Sequence, residues 1–170
     1  MGLIILYTGT GAGKTTSALG LALRCIGHGL KVIIIQFMKG RKDIGEYLIK
    51  ERLSPEYEIY QFGRTEWVNL SNPSDEDREL ALRGLAFAEK IMLEKKPFLL
   101  ILDEVNLAVA VNLIPISRIM DFLSKIPKET HVILTGRYAP SELINRADIV
   151  NLVVEAKYPK ELFAIKGISY

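Results

Sequence analysis

The feature that most constrains the fold of this chain is a glycine-rich segment near its amino terminus. The segment follows an apolar run at residues 3–7 and precedes a stretch with helical spacing at residues 14–26. It reads Thr8-Gly9-Thr10-Gly11-Ala12-Gly13-Lys14-Thr15-Thr16. Glycines let consecutive backbone N–H groups turn toward phosphate oxygens, and the amino terminus of the following helix adds a dipole that favours an anion. A strand, a glycine-rich turn and a helix in this order predict a P-loop.

The P-loop pattern assigns chemistry to its polar residues. Lys14 would bridge phosphate groups, and the Thr15 hydroxyl would ligate Mg²⁺. Thr8 stands where the usual pattern has its leading glycine, and an ordinary turn that joins a strand to a helix is the alternative interpretation. The predicted nucleotide-binding residues of the loop are Gly9, Thr10, Gly11, Ala12, Gly13, Lys14, Thr15 and Thr16.

A second pattern supplies acidic groups for the same site. Residues 98–102 form an apolar run that ends in Asp103 and Glu104. Carboxylates at the carboxyl end of a buried strand can hold Mg²⁺ opposite the P-loop threonine, directly or through water. An acidic pair at the start of a helix is the alternative interpretation. We expect both residues to contribute to a metal site with Thr15, and we favour Glu104 for the direct contact.

A third strand end carries an arginine. Thr135-Gly136-Arg137 follows the apolar run at residues 131–134. The glycine permits a tight exit from the strand, and the guanidinium of Arg137 has the length and charge to reach a polyphosphate. A solvated surface arginine or an ion-pair partner is the alternative interpretation. Arg137 is therefore a candidate nucleotide-binding residue.

Apolar runs alternate with helical spacing along the whole chain, and continuous apolar runs are typical of strands buried on both faces. Six strands are predicted at residues 3–7, 32–37, 57–62, 98–102, 131–135 and 149–153, and four helices at residues 14–26, 74–94, 114–125 and 139–146. The alternation predicts one doubly wound, three-layer α/β domain over residues 1–170 with a mostly parallel β-sheet. Together with the P-loop, it leads us to expect a P-loop NTPase-like (RecA-like) domain. The one long irregular connection, residues 64–73, follows a strand and is a candidate for substrate contact.

Charge and composition indicate which classes of partner the chain does not bind. The 170 residues carry a formal net charge of +2, and the basic residues are scattered rather than clustered, so we expect no nucleic-acid binding. The first residues have no cationic leader and no apolar run long enough for a signal or a membrane span. The single cysteine, Cys25, excludes an internal disulfide and a site with several thiolates. These observations predict a cytoplasmic protein with no membrane partner.

Several segments together resemble a known family, the P-loop ATP:corrinoid (cob(I)alamin) adenosyltransferases. The P-loop itself is unspecific, but segments farther along the chain are more selective. They are Ile26-Gly27-His28-Gly29, Gln36-Phe37-Met38-Lys39-Gly40, Ile101-Leu102-Asp103-Glu104, Leu134-Thr135-Gly136-Arg137, Arg146-Ala147-Asp148 and Lys166-Gly167-Ile168-Ser169-Tyr170. The resemblance runs from the first predicted strand to the last residue.

The resemblance implies a reaction and its participants. Enzymes of this family transfer the 5′-deoxyadenosyl group of ATP to the Co(I) of a reduced corrinoid and release triphosphate. It implies catalytic roles for Lys14, Thr15 and Glu104, a Mg²⁺ site at Thr15 and Glu104, and ATP and a corrinoid as substrates. It also implies a flavin-bearing reductase as electron donor and a homodimer.

The corrinoid contact departs from the family pattern. The family places aromatic residues in a Gly-Phe-Thr-Trp-like segment after its third strand, whereas this chain reads Phe62-Gly63-Arg64-Thr65-Glu66-Trp67. Arg64 stands at the phenylalanine position, and the tryptophan comes one residue late. Trp67 is the candidate for binding the corrinoid, with a core tryptophan as the alternative interpretation.

Two other functions explain the P-loop. A nucleoside kinase or NTPase would use the same loop and the same acid-ended strand, but it would release ADP or phosphate. A non-catalytic ATP-dependent carrier would bind a corrinoid without forming a cobalt–carbon bond.

Overall fold

The structure, a computed structural model, describes residues 2–159 and 164–169 of the chain, and its core is a six-stranded β-sheet. The strands are β1 Ile4–Thr8, β2 Val32–Phe37, β3 Tyr57–Phe62, β4 Leu99–Asp103, β5 His131–Thr135 and β6 Ile149–Leu152. The helices are α1 Lys14–Gly27, α2 Gly45–Leu48, α3 Lys50–Leu53, α4 Asp75–Lys95, α5 Val105–Ala110, α6 Ile116–Ser124 and α7 Ser141–Arg146. All six predicted strands and all four predicted helices are present, with ends that differ by at most two residues.

The strand order of the sheet is β3-β2-β4-β5-β1-β6, and every neighbouring pair is parallel. The predicted α/β class and parallel sheet are therefore confirmed. Strand β5 lies between β1, which carries the P-loop, and β4, which carries the acidic pair. Since all strands run the same way, their last residues lie along one side of the sheet, which we call the carboxyl edge. The predicted site residues therefore converge there.

Helices cover both faces of the sheet because the inner strands are apolar on both. On β2, Ile33 and Ile35 pack in a cluster with α4 to α7, whereas Val32 and Ile34 pack in another with α1 and the segment of α2 and α3. Full burial of an isoleucine side chain contributes about 1.5–3 kcal/mol, so these strands hold the three layers together. The three-layer prediction is confirmed.

Three helices of the structure, α2, α3 and α5, were not predicted from the sequence. Helices α2 and α3 have four residues each, and α5 has six, so none offers enough turns for a periodic pattern. Four of the six residues of α5 are buried, which removes the contrast between an apolar and a polar face. The longest helix, α4, was predicted from its spacing, and Ser74 and Asp77 form a complete capping box at its start.

None of the helices in the part of the chain that the structure describes is both long enough and apolar enough to span a membrane.

Candidate active site

The backbone at the carboxyl edge is unusual in four strand exits. Met38, Glu104 and Tyr138 adopt positive φ angles of 56°, 64° and 56° shortly after β2, β4 and β5. Gly9 follows β1 with a φ of 105°. A non-glycine residue in this left-handed region costs on the order of 1–3 kcal/mol, and such strain concentrates at functional sites. Three of the five non-glycine residues with a positive φ in the described part of the chain therefore lie at the edge that carries the predicted site residues.

The P-loop folds as predicted, with Gly13 at a φ of 107° directly before α1. The buried Lys14 side chain turns back over the loop, and its Nζ donates hydrogen bonds to Gly9 O at 2.9 Å and Gly11 O at 2.6 Å. Burial lowers the pKa of Lys14, and the nearby positive charge of Arg137 lowers it further. The negative charges of Glu104 and Glu155 act in the opposite direction, and the net effect is a lowered pKa. An anion bound in the loop would stabilise the charged form of Lys14 further.

The glycines of the loop have a second role that the sequence did not reveal. The chain directly after β6 packs against the loop, where the Gly11 N–H donates a hydrogen bond to Val153 O at 2.9 Å. A Cβ at Gly9 would lie 2.3 Å from the same carbonyl oxygen. Side chains at these positions would therefore push β6 away from the loop. Glycine here serves the packing of the sheet edge as well as the turn.

The remaining loop residues lie near the helix start or on the surface. The Thr16 hydroxyl donates to Gly13 O at 3.0 Å, so it closes the turn on itself. Thr10 and Ala12 are exposed. Thr15 points the other way, into the sheet edge, where its Oγ1 donates to Asp103 Oδ1 at 2.8 Å. This bond joins the P-loop to β4 across the intervening strand β5.

Asp103 is the most completely buried acid of the site, with 1 % of its side chain exposed. Its Oδ1 accepts from Thr15 and from Thr135, both at 2.8 Å. Its Oδ2 accepts from Gln36 Nε2 at 3.1 Å and Lys39 Nζ at 2.6 Å. Burial alone would raise the pKa of Asp103, but the Lys39 charge and these hydrogen bonds lower it. Asp103 is therefore a carboxylate at neutral pH.

Glu104 differs from its neighbour. It is half-buried, and its carboxylate has no hydrogen bond or ion pair to any residue in the ranges 2–159 and 164–169. Burial and the negative charge of Asp103 raise its pKa. Its backbone N–H donates to Thr135 Oγ1 at 2.9 Å, which holds the strained exit of β4 in place. Glu104 thus presents an unpaired carboxylate to the edge of the sheet.

The oxygen atoms of this cluster suit a hard divalent cation. Thr15, Asp103 and Glu104 offer hydroxyl and carboxylate oxygens, the ligand types that Mg²⁺ prefers. In the described part of the chain no group of three or more acidic, histidine or cysteine residues could hold a metal alone. The donor set fits an ion whose other ligands are nucleotide phosphates and water, which is how Mg²⁺ usually binds.

Sequence reasoning missed three residues of the cluster, Gln36, Lys39 and Thr135. Gln36 and Lys39 lie in the segment Gln36-Phe37-Met38-Lys39-Gly40, which supported only the family resemblance, and Thr135 lies two residues before Arg137, the one candidate of its segment. In the sheet, Gln36 stands directly beside Asp103 in the register of β2 and β4. A polar residue at the end of an otherwise apolar strand is the signal that could have identified Gln36.

Arg137 and Trp67 lie at the outside of the site. Arg137 is exposed, yet it is close enough to lower the pKa of Lys14 and to moderate the raised pKa of Glu104. Trp67 is 96 % exposed, so its interpretation as a core residue is wrong. Its loop is fixed at the base, where Arg64 Nε and Nη2 bond the Asp77 carboxylate at 3.0 and 3.2 Å.

Comparison with known proteins decides the family. The family model described as ATP:corrinoid adenosyltransferase BtuR/CobO/CobP matches residues 1–170. The chain belongs to this family of ATP:corrinoid adenosyltransferases. It is an enzyme of this family, so the resemblance found in the sequence is confirmed, and neither the kinase nor the carrier interpretation is supported.

Individual relatives carry the same description. A corrinoid adenosyltransferase of Sinorhizobium sp is 34% identical over 163 residues, which cover 93% of this chain and 74% of the relative. That of Escherichia coli (strain K12) is 33% identical over 158 residues, covering 92% and 79%. The corrinoid adenosyltransferase CobA of Salmonella typhimurium (strain LT2) is 31% identical over 171 residues, covering 99% and 86%. The likeness thus extends over most of each protein.

Proposed function

We propose that this adenosyltransferase moves the 5′-deoxyadenosyl group of ATP to the Co(I) of a reduced corrinoid and releases triphosphate. The observation that carries the proposal is the hydrogen bond between Thr15 and Asp103, which joins a P-loop to an acid-ended strand in a chain of this family. In the reaction, the cobalt electron pair attacks C5′, and the C5′–O bond breaks. The triphosphate leaves with that bonding pair.

The chain's own contribution is positioning and charge. Because the cobalt is the nucleophile, no side chain has to form a covalent intermediate, and the barrier is lowered by orienting ATP and stabilising the leaving triphosphate. We assign the binding of the triphosphate to the backbone of Gly9 to Thr16 and to Lys14. The proximity of Arg137 to Lys14 supports a second positive charge on the same anion.

We assign the Mg²⁺ ligands to Thr15 and Glu104, with Asp103 behind them. The unpaired Glu104 carboxylate supports the direct role. Asp103 already accepts four hydrogen bonds, and the one from Thr15 supports a role in orienting that hydroxyl. When bound, Mg²⁺ would neutralise negative charge on the triphosphate oxygens.

The corrinoid is assigned to the space outside the carboxyl edge, beside the loop of residues 64–73. The exposed indole of Trp67 supports this assignment, because a large apolar ring in contact with solvent is the type of group that covers a flat substrate. An apolar cover over the cobalt would exclude water and favour loss of the lower axial ligand before reduction.

An anaerobic assay with ATP, Mg²⁺ and chemically reduced cobalamin tests the proposal. We expect the absorbance spectrum of adenosylcobalamin to appear and one triphosphate to be released for each cobalt–carbon bond. Release of ADP or phosphate without a change in the corrinoid spectrum would contradict it. A reaction without the chemical reductant is the matched control, because Co(II) cannot attack C5′ in this way.

The partners follow from the same proposal. Formation of Co(I) needs an electron, and a flavin-bearing reductase in the cytoplasm is the donor that we propose. We also propose a homodimer, supported by the exposed apolar residues of the edge strand β6, among them Ile149 at 43 % and Leu152 at 68 %. Sedimentation velocity measures the mass, and a monomer at micromolar concentration would contradict the dimer.

A further inference from the structure

The position of the Lys39 ammonium suggests a role that neither the P-loop pattern nor the family assignment gives it. Lys39 Nζ lies 2.6 Å from Asp103 Oδ2 and 3.5 Å from Thr15 Oγ1. Thr15 is a proposed Mg²⁺ ligand, and Asp103 lies directly behind it. The charge of Glu104, the other proposed ligand, also acts on Lys39. In the structure, a positive charge of the protein therefore stands beside the proposed metal site.

The charges around Asp103 explain why Lys39 lies there. Asp103 is buried, and a buried carboxylate is strongly destabilised unless a cation pairs with it. Within the described ranges of the chain, Lys39 is the only residue that forms an ion pair with Asp103. Gln36, Thr15 and Thr135 donate hydrogen bonds but carry no charge. Lys39 supplies the counter-charge that Mg²⁺ would otherwise supply.

Two cations cannot share this position, because like charges a few ångströms apart repel each other strongly when water is largely excluded. Entry of Mg²⁺ therefore requires the Lys39 ammonium to move. The displaced ammonium needs a new anion, and the Glu104 carboxylate is then engaged by the metal. The other acid whose charge acts on Lys39 is Glu46, which carries a single negative charge and already accepts a hydrogen bond from Gln36 Nε2 at 3.3 Å. The triphosphate that arrives with Mg²⁺ carries several negative charges and lies in the adjacent P-loop.

Close contacts restrain the backbone around Lys39, so we expect only its side chain to move. A Cβ at Gly40 would lie 2.5 Å from Gly63 O, and a Cβ at Gly63 would lie 2.3 Å from Lys39 N. The exits of β2 and β3 are therefore in close backbone contact, and Met38 adopts its left-handed conformation between them. The flexible four-carbon stem of lysine can rotate without any change in these contacts.

We propose that Lys39 occupies the metal position while the nucleotide is absent and transfers its ammonium to the triphosphate when Mg²⁺ and ATP bind. The inference rests on the proposed Mg²⁺–ATP site. It makes Lys39 a second lysine for the leaving group, besides Lys14. It also couples the two ligands, since the protein alone would bind the metal weakly.

Titration of the nucleotide-free protein with Mn²⁺, followed by electron paramagnetic resonance, tests whether Lys39 competes with the metal. Mn²⁺ serves as the probe because it takes the same oxygen ligands as Mg²⁺. We expect Lys39→Met to bind Mn²⁺ at least about tenfold more tightly than the wild type, because the competing charge is gone. A merely structural role of Lys39 would not strengthen metal binding. Tight binding of Mn²⁺ by the wild type would overturn the proposal.

Calorimetric titration with ATP and with tripolyphosphate, both in the presence of Mg²⁺, tests whether the Lys39 ammonium binds the triphosphate. We expect Lys39→Met to lose about tenfold or more in affinity for both, and Lys39→Arg to recover part of it. An unchanged affinity in Lys39→Met would overturn the transfer to the triphosphate.

Lys42→Met is the matched control, since Lys42 is exposed three residues farther along the chain. We expect it to behave as the wild type in both titrations. If Lys39→Met behaves like this control in both, the proposal is wrong. Circular dichroism checks the fold, and Lys39→Gln, which keeps a hydrogen-bond donor, replaces Lys39→Met if the latter does not fold.

These titrations contain no corrinoid, so they separate this inference from the proposed reaction. Loss of adenosyl transfer in the wild type with the expected Mn²⁺ and ATP results would contradict the proposed reaction alone. Normal transfer with unaltered titrations would contradict the role of Lys39 alone.

Discussion

The two halves of the carboxyl edge are built in opposite ways. Around Asp103, hydrogen bonds and an ion pair join three strands and the start of α1 in a buried cluster. In the loop of residues 64–73, Arg64 and Asp77 fix the base and Val68 packs against the core, while Trp67 stands almost fully in solvent. Buried charged groups need partners before any ligand arrives, whereas a surface that admits a large flat substrate has to remain open. The half around Asp103, to which we assign the nucleotide, is preformed, whereas the loop to which we assign the corrinoid is open at Trp67.

The largest effect is expected from removing the charge at the preformed half. Lys14→Ala should lower the rate of adenosyl transfer by at least about 10³-fold, because the leaving triphosphate loses its buried cation. The fold should persist, since the variant removes only two hydrogen bonds within the loop. Single-turnover absorbance of the corrinoid measures the rate. Lys90→Ala, on the exposed surface of α4, is the control, and similar rates in both variants would contradict the assignment of Lys14.

Glu104→Gln should slow adenosyl transfer and, at neutral to basic pH, stabilise the fold. We expect transfer to fall about 10- to 100-fold, because a neutral amide is a poorer Mg²⁺ ligand than a carboxylate. The raised pKa of Glu104 means that the folded protein binds its proton more tightly than the unfolded chain does. Its contribution to stability is therefore present at low pH and is lost as the pH rises through the raised pKa.

The melting temperature of the nucleotide-free protein tests this sign. Glu104→Gln should melt at a higher temperature than the wild type at pH 8, and this advantage should shrink toward pH 4, where the wild-type side chain is protonated. An advantage that grows toward low pH would contradict the argument. Differential scanning calorimetry at a series of pH values measures it.

A smaller effect, confined to one substrate, is expected from the open half. Trp67→Ala should weaken corrinoid binding and Co(II) reduction by about tenfold and leave the affinity for ATP unchanged. The melting temperature should not change, because the indole is 96 % exposed. Calorimetry measures the affinity for ATP, and a reduction assay measures the effect on the corrinoid. Equal losses in both measurements would mean that the two regions of the carboxyl edge are not independent.

The smallest effect is expected at the base of the loop. Arg64→Ala removes a two-point ion pair with Asp77, but Asp77 keeps its hydrogen bonds to the backbone and hydroxyl of Ser74. We therefore expect α4 to persist and corrinoid binding to weaken only a few-fold through a looser loop. Hydrogen exchange of residues 64–73 should rise in this variant. Unchanged exchange would show that the pair does not order the loop.

Local patterns predicted most of the fold. The strands and long helices were recognised because apolar runs and helical spacing report burial directly. The short helices α2, α3 and α5 were missed because they have four to six residues. The P-loop, the acidic pair after β4 and Arg137 were found because each follows a strand end, where parallel strands bring their residues together.

The residues that end each strand, and those among them that suit phosphate and metal chemistry, follow from the local sequence. The contacts of Gln36 and Lys39 with Asp103 follow from the tertiary structure, because they depend on β2 lying beside β4 with Gln36 in register with Asp103. The same holds for the room that Gly9 and Gly11 leave for the chain after β6, and for the exposure of Trp67. Chemistry that follows from residue type is visible locally, whereas strand order and register depend on contacts between residues far apart in the chain.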